Sequence, residues 1–296
     1  MPLFLFIVVK VQNILNILQG IAPLDLAQSW DNVGLLVGSP DGRVTSILLA
    51  LDPTTALIAE AERCNAELVI THHPAIFHPL KSLRSDRPAE RVIHAAVQAG
   101  IHLVGCHTNL DAAYGGVNDV LAQLLNLEET VPLLPGDGGG NCNEKKTGLG
   151  RIGMLPEPVS SESFLEQLFA VLSPPWLLEA GSRPEKVRRV AVCGGSCSDV
   201  SATALAAGAD VFITSEVKHD VARWAEEAGL WLIDGGHFAT EYPAMEGLRQ
   251  LLVERLKASD KAVQVQCARQ DPPLRLATKK VVEEHGRSCL GIREKE

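Results

Sequence analysis

Six side chains that can bind a divalent cation stand just past apolar runs of the sequence. Neutral imidazole and carboxylate together favour zinc, iron, manganese or nickel over magnesium or calcium. Five such ligands can also hold two ions when one carboxylate bridges them. The candidate residues are His72, His73, His107, Asp111, His237 and Glu241.

The runs that precede these side chains have the pattern of buried strands alternating with helices. In the first half of the chain the predicted elements are strands over 45–52, 67–74 and 101–108 and helices over 54–64 and 88–100. This alternation predicts a parallel sheet with covering helices. Residues just past the carboxyl ends of such strands line the crevice where ligands bind. Pro74 forces the chain to leave the strand, so that the adjacent imidazoles of His72 and His73 can turn toward one site.

The second half of the chain repeats this pattern at the level of residues. The segment AELVITHH aligns with ADVFITSE, and with one extra residue in the second copy, His107 and Asp111 align with His237 and Glu241. Each copy thus places His-x-x-x-carboxylate after its last strand. We therefore expect an α/β protein of two similar three-layer lobes with a metal cleft between them. The expected limits are 11–134 for the first lobe, 135–150 for a Gly-rich linker or loop, 151–275 for the second lobe and 276–296 for a C-terminal tail.

Several other polar residues have simpler interpretations. A single histidine on an apolar element is most often a hydrogen-bonded structural residue, and we assign that role to His78, His94, His102, His219 and His285. Cys193 and Cys197 can be thiolate ligands, but packing is favoured because no second cysteine pair accompanies them. The Gly-rich turn at 192–199 can hold an anion or be a plain tight turn. The turn Trp30-Asp31-Asn32 can border a pocket or cap one.

The composition of the chain argues against a nucleic-acid partner and against a membrane span. The chain has 296 residues and a formal net charge of -9, and no basic stretch offers the clustered cations that a nucleic-acid backbone requires. No segment reaches the roughly 20 uninterrupted apolar residues of a membrane span. Seven cysteines without framework spacing favour a reducing cytoplasm. The apolar opening MPLFLFIVVK lacks the basic region and cleavage site of a signal peptide, so we expect an extension or a start codon assigned too early.

At several places the sequence resembles the NIF3-like family, whose members are also labelled GTP cyclohydrolase 1 type 2 homologs. The matching stretches are SWDNVGLLVG, ITHHPAIF, HTNLDAAYGGVND, GLGRIG, GADVFITSE and DGGHFATE. They extend from about residue 11 to 275. The segment from 148 to 187 is too short for the additional domain that some members insert between the lobes, so the chain resembles the short form.

The resemblance implies a dinuclear centre of two divalent ions (zinc, iron, manganese or nickel) in a cleft between the lobes. Its expected ligands are His72, His73, Asp111, His237 and Glu241, while His107 is expected to act on substrate or to support the ligands. The resemblance also implies a homohexamer and a small-molecule substrate such as a nucleotide.

Three functions are compatible with these residues. The first, implied by the family label, is metal-dependent hydrolysis that opens the imidazole ring of GTP, with His107 as a proton carrier. The second keeps the hydrolytic centre but acts on another substrate, such as a phosphoester or a cyclic amide. The third is a metal-binding adaptor or regulatory protein without turnover.

Overall fold

The computed structural model describes residues 9–136 and 147–277, in which the chain forms eleven strands and ten α-helices. The strands are β1 Gly34–Val37, β2 Ser46–Ala50, β3 Leu68–Thr71, β4 His102–Gly105, β5 Glu128–Pro135, β6 Gly148–Ser160, β7 Leu178–Ala180, β8 Lys186–Val192, β9 Val211–Thr214, β10 Trp231–Asp234 and β11 Gln264–Cys267. The helices are α1 Val11–Gln19, α2 Thr55–Arg63, α3 Pro88–Ala99, α4 Thr108–Ala112, α5 Val117–Leu124, α6 Ser161–Leu172, α7 Ser201–Ala206, α8 His219–Ala228, α9 His237–Glu241 and α10 Pro243–Ala258.

The strands form two separate sheets. The five-stranded sheet has the order β1-β4-β3-β2-β11, and its strands are parallel except for β1, which is antiparallel to β4. β2 and β3 are buried along their whole length, as expected for parallel strands that helices cover on both faces.

The six-stranded sheet repeats the centre of this arrangement with different edges. Its order is β5-β6-β8-β9-β10-β7; β8, β9 and β10 are parallel, whereas β5, β6 and β7 are antiparallel to their neighbours. β9 and β10 hold the places that β3 and β4 hold in the other sheet. The prediction of two similar α/β lobes is confirmed, and the antiparallel strands at the sheet edges add to the predicted parallel core.

Two parts of the chain cross the lobe limits expected from the sequence, which were 11–134 and 151–275. β5 belongs to the six-stranded sheet, and β11 returns to pair with β2 in the five-stranded sheet. α10 returns with it, because Leu248, Leu252 and Leu256 lie on one helical face and pack into the core of the first lobe. Most of the predicted linker at 135–150 and of the tail at 276–296 lies outside the described residues.

A buried ion pair joins β6 of the six-stranded sheet to helix α5. Arg151 on β6 donates two hydrogen bonds of 2.7 Å to the carboxylate of Asp119 on α5. The same guanidinium also donates to the carbonyls of Gly148, Gly150 and Ala113. Because all of its donors face acceptors, the buried charge is fully paired.

The helices cover the sheets, and the apolar side chains of each lobe pack beneath them. In the two described stretches, 9–136 and 147–277, no helix combines the length and the apolar character needed to cross a bilayer. Each lobe has its own apolar core, with Ile47, Leu49 and Ile70 in the first and Val190, Val211 and Ile233 in the second.

Candidate metal centre

The adjacent imidazoles of His72 and His73 follow β3 and are held by different acceptors. His72 Nδ1 lies 3.0 Å from the carbonyl oxygen of Cys106, and His73 Nδ1 lies 2.7 Å from Asp52 Oδ1. A carbonyl or a carboxylate can only accept, so each Nδ1 carries the proton. In the neutral ring, each Nε2 is then left as a free lone pair, which is the form that binds a metal ion.

Two five-residue helices present the remaining candidates. β4 leads into α4, whose N-cap is His107 and which contains Asp111; β10 leads into α9, which begins at His237 and ends at Glu241. In both places the histidine and the carboxylate are four residues apart, so that they share one face of the helix. The predicted His-x-x-x-carboxylate repeat is therefore a helical turn placed after the same strand of each sheet.

Three ligand atoms from both lobes meet at the end of these elements. Glu241 Oε2 lies 3.1 Å from His73 Nε2 and 2.9 Å from His237 Nε2, and the two Nε2 atoms are 3.2 Å apart. His237 Nδ1 contacts Glu216 Oε1 at 2.8 Å and carries its proton there. With both rings neutral, all three converging atoms are acceptors, which repel one another unless a proton or a cation lies between them. Ligand atoms around a tetrahedral zinc ion are about 3.3 Å apart, a spacing close to this one.

A second group shares Glu241 with the first. His72 Nε2 lies 3.6 Å from Asp111 Oδ1 and 3.7 Å from Glu241 Oε1. Within the described part of the chain, His72 Nε2, Asp111 Oδ1 and Glu241 Oε2 are buried polar atoms without a hydrogen-bond partner. Such orphaned atoms are costly unless an ion or a water satisfies them. Each of the two groups could hold a metal ion, and a different oxygen of Glu241 faces each group.

When no metal ion is bound, the candidate ligands hold protons instead. Burial by itself lowers the pKa of His73 and His237, but their carboxylate partners prevail and raise the pKa to about 10 for His73 and to about 9 for His237. Burial raises the pKa of Asp111 to about 7. Burial also opposes ionisation of Glu241, yet the surrounding imidazoles hold its pKa well below the usual range. Metal binding must displace these protons.

His107 lies beside the other imidazoles, with its ring centroid 5.2 Å from that of His72 and 5.7 Å from that of His73. Its Nδ1 contacts Asp31 Oδ1 at 2.9 Å. Burial and the neighbouring His72 lower its pKa, so that the ring is neutral near pH 7. A neutral imidazole in this position can accept a proton or donate its lone pair to an ion, and its atoms form a possible ligand group with His72 and His73.

The carboxylates that orient the imidazoles were not predicted as site residues from the sequence. Asp52 follows β2 directly, at the same sheet edge as His72, so the strand-end rule that found the histidines applies to it as well. Glu216 follows β9 in the same way. Asp31 lies in the turn that was expected to border a pocket or to cap one, and it contacts His107 instead. Such partners fix the tautomer of a ligating histidine.

Gln270 is a further residue that the sequence did not indicate. Its Oε1 accepts hydrogen bonds from the backbone of Leu51 and Asp52, and its Nε2 donates to the Asp52 carbonyl at 2.8 Å. Gln270 thereby fixes the backbone whose side chain orients His73.

The Gly-rich turn after β8 has a steric role at the centre. Gly195 adopts φ +70°, and a Cβ added there would lie 2.1 Å from Glu241 Oε1. Glycine is therefore required both by the backbone and by the close approach of the carboxylate. In the described residues, the neighbouring Cys193 and Cys197 are not part of a possible ligand group.

Among the other histidines, His102 is hydrogen-bonded, as expected of a structural residue. His102 lies between Gly38 and Gly42, and its Nδ1 accepts from Ser39 N. The possible ligand groups in the described stretches do not include His78, His94, His102 or His219, and His285 lies outside the described residues.

Comparison with protein families identifies this arrangement. The family model described as Duf34/NIF3 (NGG1p interacting factor 3) matches residues 9–273. The chain belongs to the Duf34/NIF3 family. The resemblance seen in the sequence is confirmed over most of the chain.

Individual relatives agree with the family assignment. The chain is 34% identical to the GTP cyclohydrolase 1 type 2 homolog of Streptomyces coelicolor, covering 82% of this chain and 85% of the relative. It is 32% identical to the GTP cyclohydrolase 1 type 2 homolog of Clostridium perfringens, covering 83% and 92%. Among solved structures, a Staphylococcus aureus hypothetical protein is 29% identical and superposes with a TM-score of 0.84 over 90% of this chain and 99% of that one.

Proposed function

We propose that this Duf34/NIF3 protein is a hydrolase with a dinuclear metal centre between its two lobes. The observation that supports this most strongly is the meeting of three acceptor atoms, from His73, His237 and Glu241, at 2.9 to 3.2 Å. The proposed ions are two divalent cations of zinc, iron, manganese or nickel, as imidazole and carboxylate ligands prefer. His73, His237 and Glu241 would hold one ion; His72, Asp111 and Glu241 would hold the other.

Each residue has a defined task in this proposal. When bound, a pair of divalent cations lowers the pKa of a water toward neutrality and stabilises negative charge on the reacting oxygen. Asp52 and Glu216 keep the Nε2 atoms of His73 and His237 directed at the centre. His107, neutral and hydrogen-bonded to Asp31, accepts a proton at Nε2 and returns it to the leaving group.

The proposed reaction is ring opening of a purine nucleotide such as GTP, an idea that comes from the names of the relatives. Water adds to C8 of the imidazole ring, the bond between C8 and N9 breaks, and a second water hydrolyses the resulting formamide to formate. The proposal also includes assembly as a homohexamer and a cytoplasmic location.

A turnover assay with defined metal content tests this function. Protein freed of metal and then loaded separately with zinc, manganese, iron or nickel is incubated with GTP, and formate and the ring-opened formamide are measured. We expect formate with at least one ion, none without metal, and a loss of at least 100-fold in His107→Ala, since general acid and base catalysis contributes about 10²- to 10⁴-fold.

His94→Ala, on α3, is the matched control and should leave turnover unchanged. Absence of both formate and the ring-opened formamide with every ion, in protein that retains two metal ions per chain, would contradict GTP ring opening. Cleavage of a phosphoester or a cyclic amide by that same protein would then identify the other hydrolase function considered above.

A further inference from the structure

Two large aromatic side chains lie exposed at the edge of the candidate metal centre. Trp30 has 58% of its surface exposed and Phe77 has 42%. Their ring centroids are 5.7 Å apart, and those of Trp30 and Phe77 lie 6.0 Å and 6.2 Å from the ring of His107. Exposed apolar surface that adjoins a polar site is typical of a binding surface.

Polar contacts beneath the two rings hold them in place. Asp31, next to Trp30, accepts from the backbone of Thr108 at 3.0 Å and contacts His107 at 2.9 Å. Asn32 donates from its side-chain amide to the carbonyl of Ile76, the residue before Phe77. One turn therefore fixes both the indole and the loop that presents the phenyl ring, and it also orients the imidazole between them and the metal ligands.

We propose that Trp30 and Phe77 form a stacking subsite for a flat heteroaromatic ring of the substrate. This inference deepens the proposed hydrolase function and rests on it, because it assigns the residues that bind the reacting ring. Aromatic side chains stack on the face of any such ring with little regard to its hydrogen-bonding groups. The two rings are inclined at 53°, so a flat ring stacked on one meets the other at an angle. Both arrangements are favourable for aromatic rings, so the subsite favours aromatic substrates.

The subsite lies beside His107, at the border of the candidate metal centre, and this place suits a ring of the substrate. Trp30 is adjacent to His107, and the His107 ring is 5.2 Å from His72, a candidate ligand. A ring stacked on Trp30 and Phe77 is thus held against His107 at the border of the centre. A small molecule can occupy this place and reach the metal ligands at the same time.

Binding, measured without turnover, tests the subsite. Zinc-loaded full-length protein is titrated calorimetrically with guanosine and, as a probe without a heteroaromatic ring, with ribose. We expect guanosine to bind more tightly than ribose. We expect Trp30→Ala and Trp30→Leu to weaken guanosine binding by roughly 10- to 100-fold, as for loss of a stacked base, whereas Trp30→Phe stays within about threefold of the unaltered protein. Trp224→Leu on α8, which removes another exposed tryptophan, should change nothing.

Three results would overturn the subsite: no binding of guanosine, equal binding by Trp30→Ala, or a changed sedimentation of Trp30→Ala with unchanged guanosine affinity. The last would identify the aromatic pair as a subunit contact. None of these results bears on metal content or on formate release, so the hydrolase proposal would survive them. Conversely, guanosine binding that depends on Trp30 in a protein that forms neither formate nor the ring-opened formamide would support the subsite and contradict GTP ring opening.

Discussion

The two lobes repeat one backbone design but equip it with different side chains. After the equivalent strands β3 and β9, the first lobe has His72 and His73, whereas the second has Ser215 and Glu216. After β4 and β10, both lobes have a short helix with a histidine and a carboxylate four residues apart. The repeat therefore preserves the places where side chains converge, and not their chemistry.

Because of this difference, some of these side chains are candidate ligands and others orient the ligands. In the second lobe, Glu216 orients His237, and Glu241 faces both groups of ligand atoms. In the first lobe, Asp31 orients His107. Asp111 therefore does not contact His107 as Glu241 contacts His237, and it faces His72 instead. Each of the two groups that share Glu241 takes side chains from both lobes, because His72, His73 and Asp111 belong to the first lobe and His237 and Glu241 to the second. The proposed centre would therefore need both lobes.

The largest effect is expected from Glu241, the carboxylate that both groups share. Glu241→Ala should lose both ions, because each group then retains only two ligands and Asp111 or the imidazoles remain unsatisfied. Metal content by elemental analysis measures this. Glu246→Ala, which removes a carboxylate of α10 that pairs with Arg249, is the matched control and should retain two ions. Two ions per chain in Glu241→Ala would show that Glu241 of the second lobe is not the carboxylate that both groups share.

The next largest effect is expected on the stability of the fold, at the buried pair of Arg151 and Asp119. Arg151→Ala leaves Asp119 buried without its partner, which should lower the free energy of unfolding by about 3 to 5 kcal/mol. Urea unfolding measures this loss. Arg249→Ala removes an exposed guanidinium on α10 and should have little effect. An equal free energy of unfolding for Arg151→Ala and the unaltered protein would mean that this ion pair does not stabilise the packing of α5 on β6.

A paired substitution distinguishes the two ligand groups. His72→Ala should lose the ion held with Asp111, and His237→Ala should lose the ion held with His73, so that each variant retains one ion per chain. Elemental analysis gives the number, and spectroscopy of cobalt-substituted protein distinguishes which group remains. Loss of both ions in both variants would show that the two groups cannot be separated.

The smallest effect is expected at Gln270, which reaches the centre only through Asp52. Gln270→Ala should weaken binding of one ion by roughly tenfold, since loss of an outer-shell partner commonly costs 10- to 100-fold. Competition with a zinc chelator measures the affinity. Gln250→Ala removes a surface amide of α10 that donates to Glu246 and serves as the control. An unchanged zinc affinity in Gln270→Ala would mean that Asp52 orients His73 without help from Gln270.

The sequence predicted the site better than it predicted the course of the chain. The strand-end rule selected the six candidate residues because parallel strands all end at one edge, and the structure brings them together. The return of α10 and β11 to the first sheet could not be predicted, because a four-residue strand and an amphipathic helix fit either lobe. The contacts of Gln270 depend on that return, and they join residues more than 200 positions apart.

Anomalous diffraction from crystals of the zinc-loaded protein tests the central claim most directly. We predict two peaks at the zinc edge, about 3.5 to 4 Å apart as in other two-metal centres. Glu241 should lie between them, with His73 and His237 at one peak and His72 and Asp111 at the other. A single peak that Glu241 does not contact, or no peak in the cleft, would contradict a dinuclear centre shared by the two lobes.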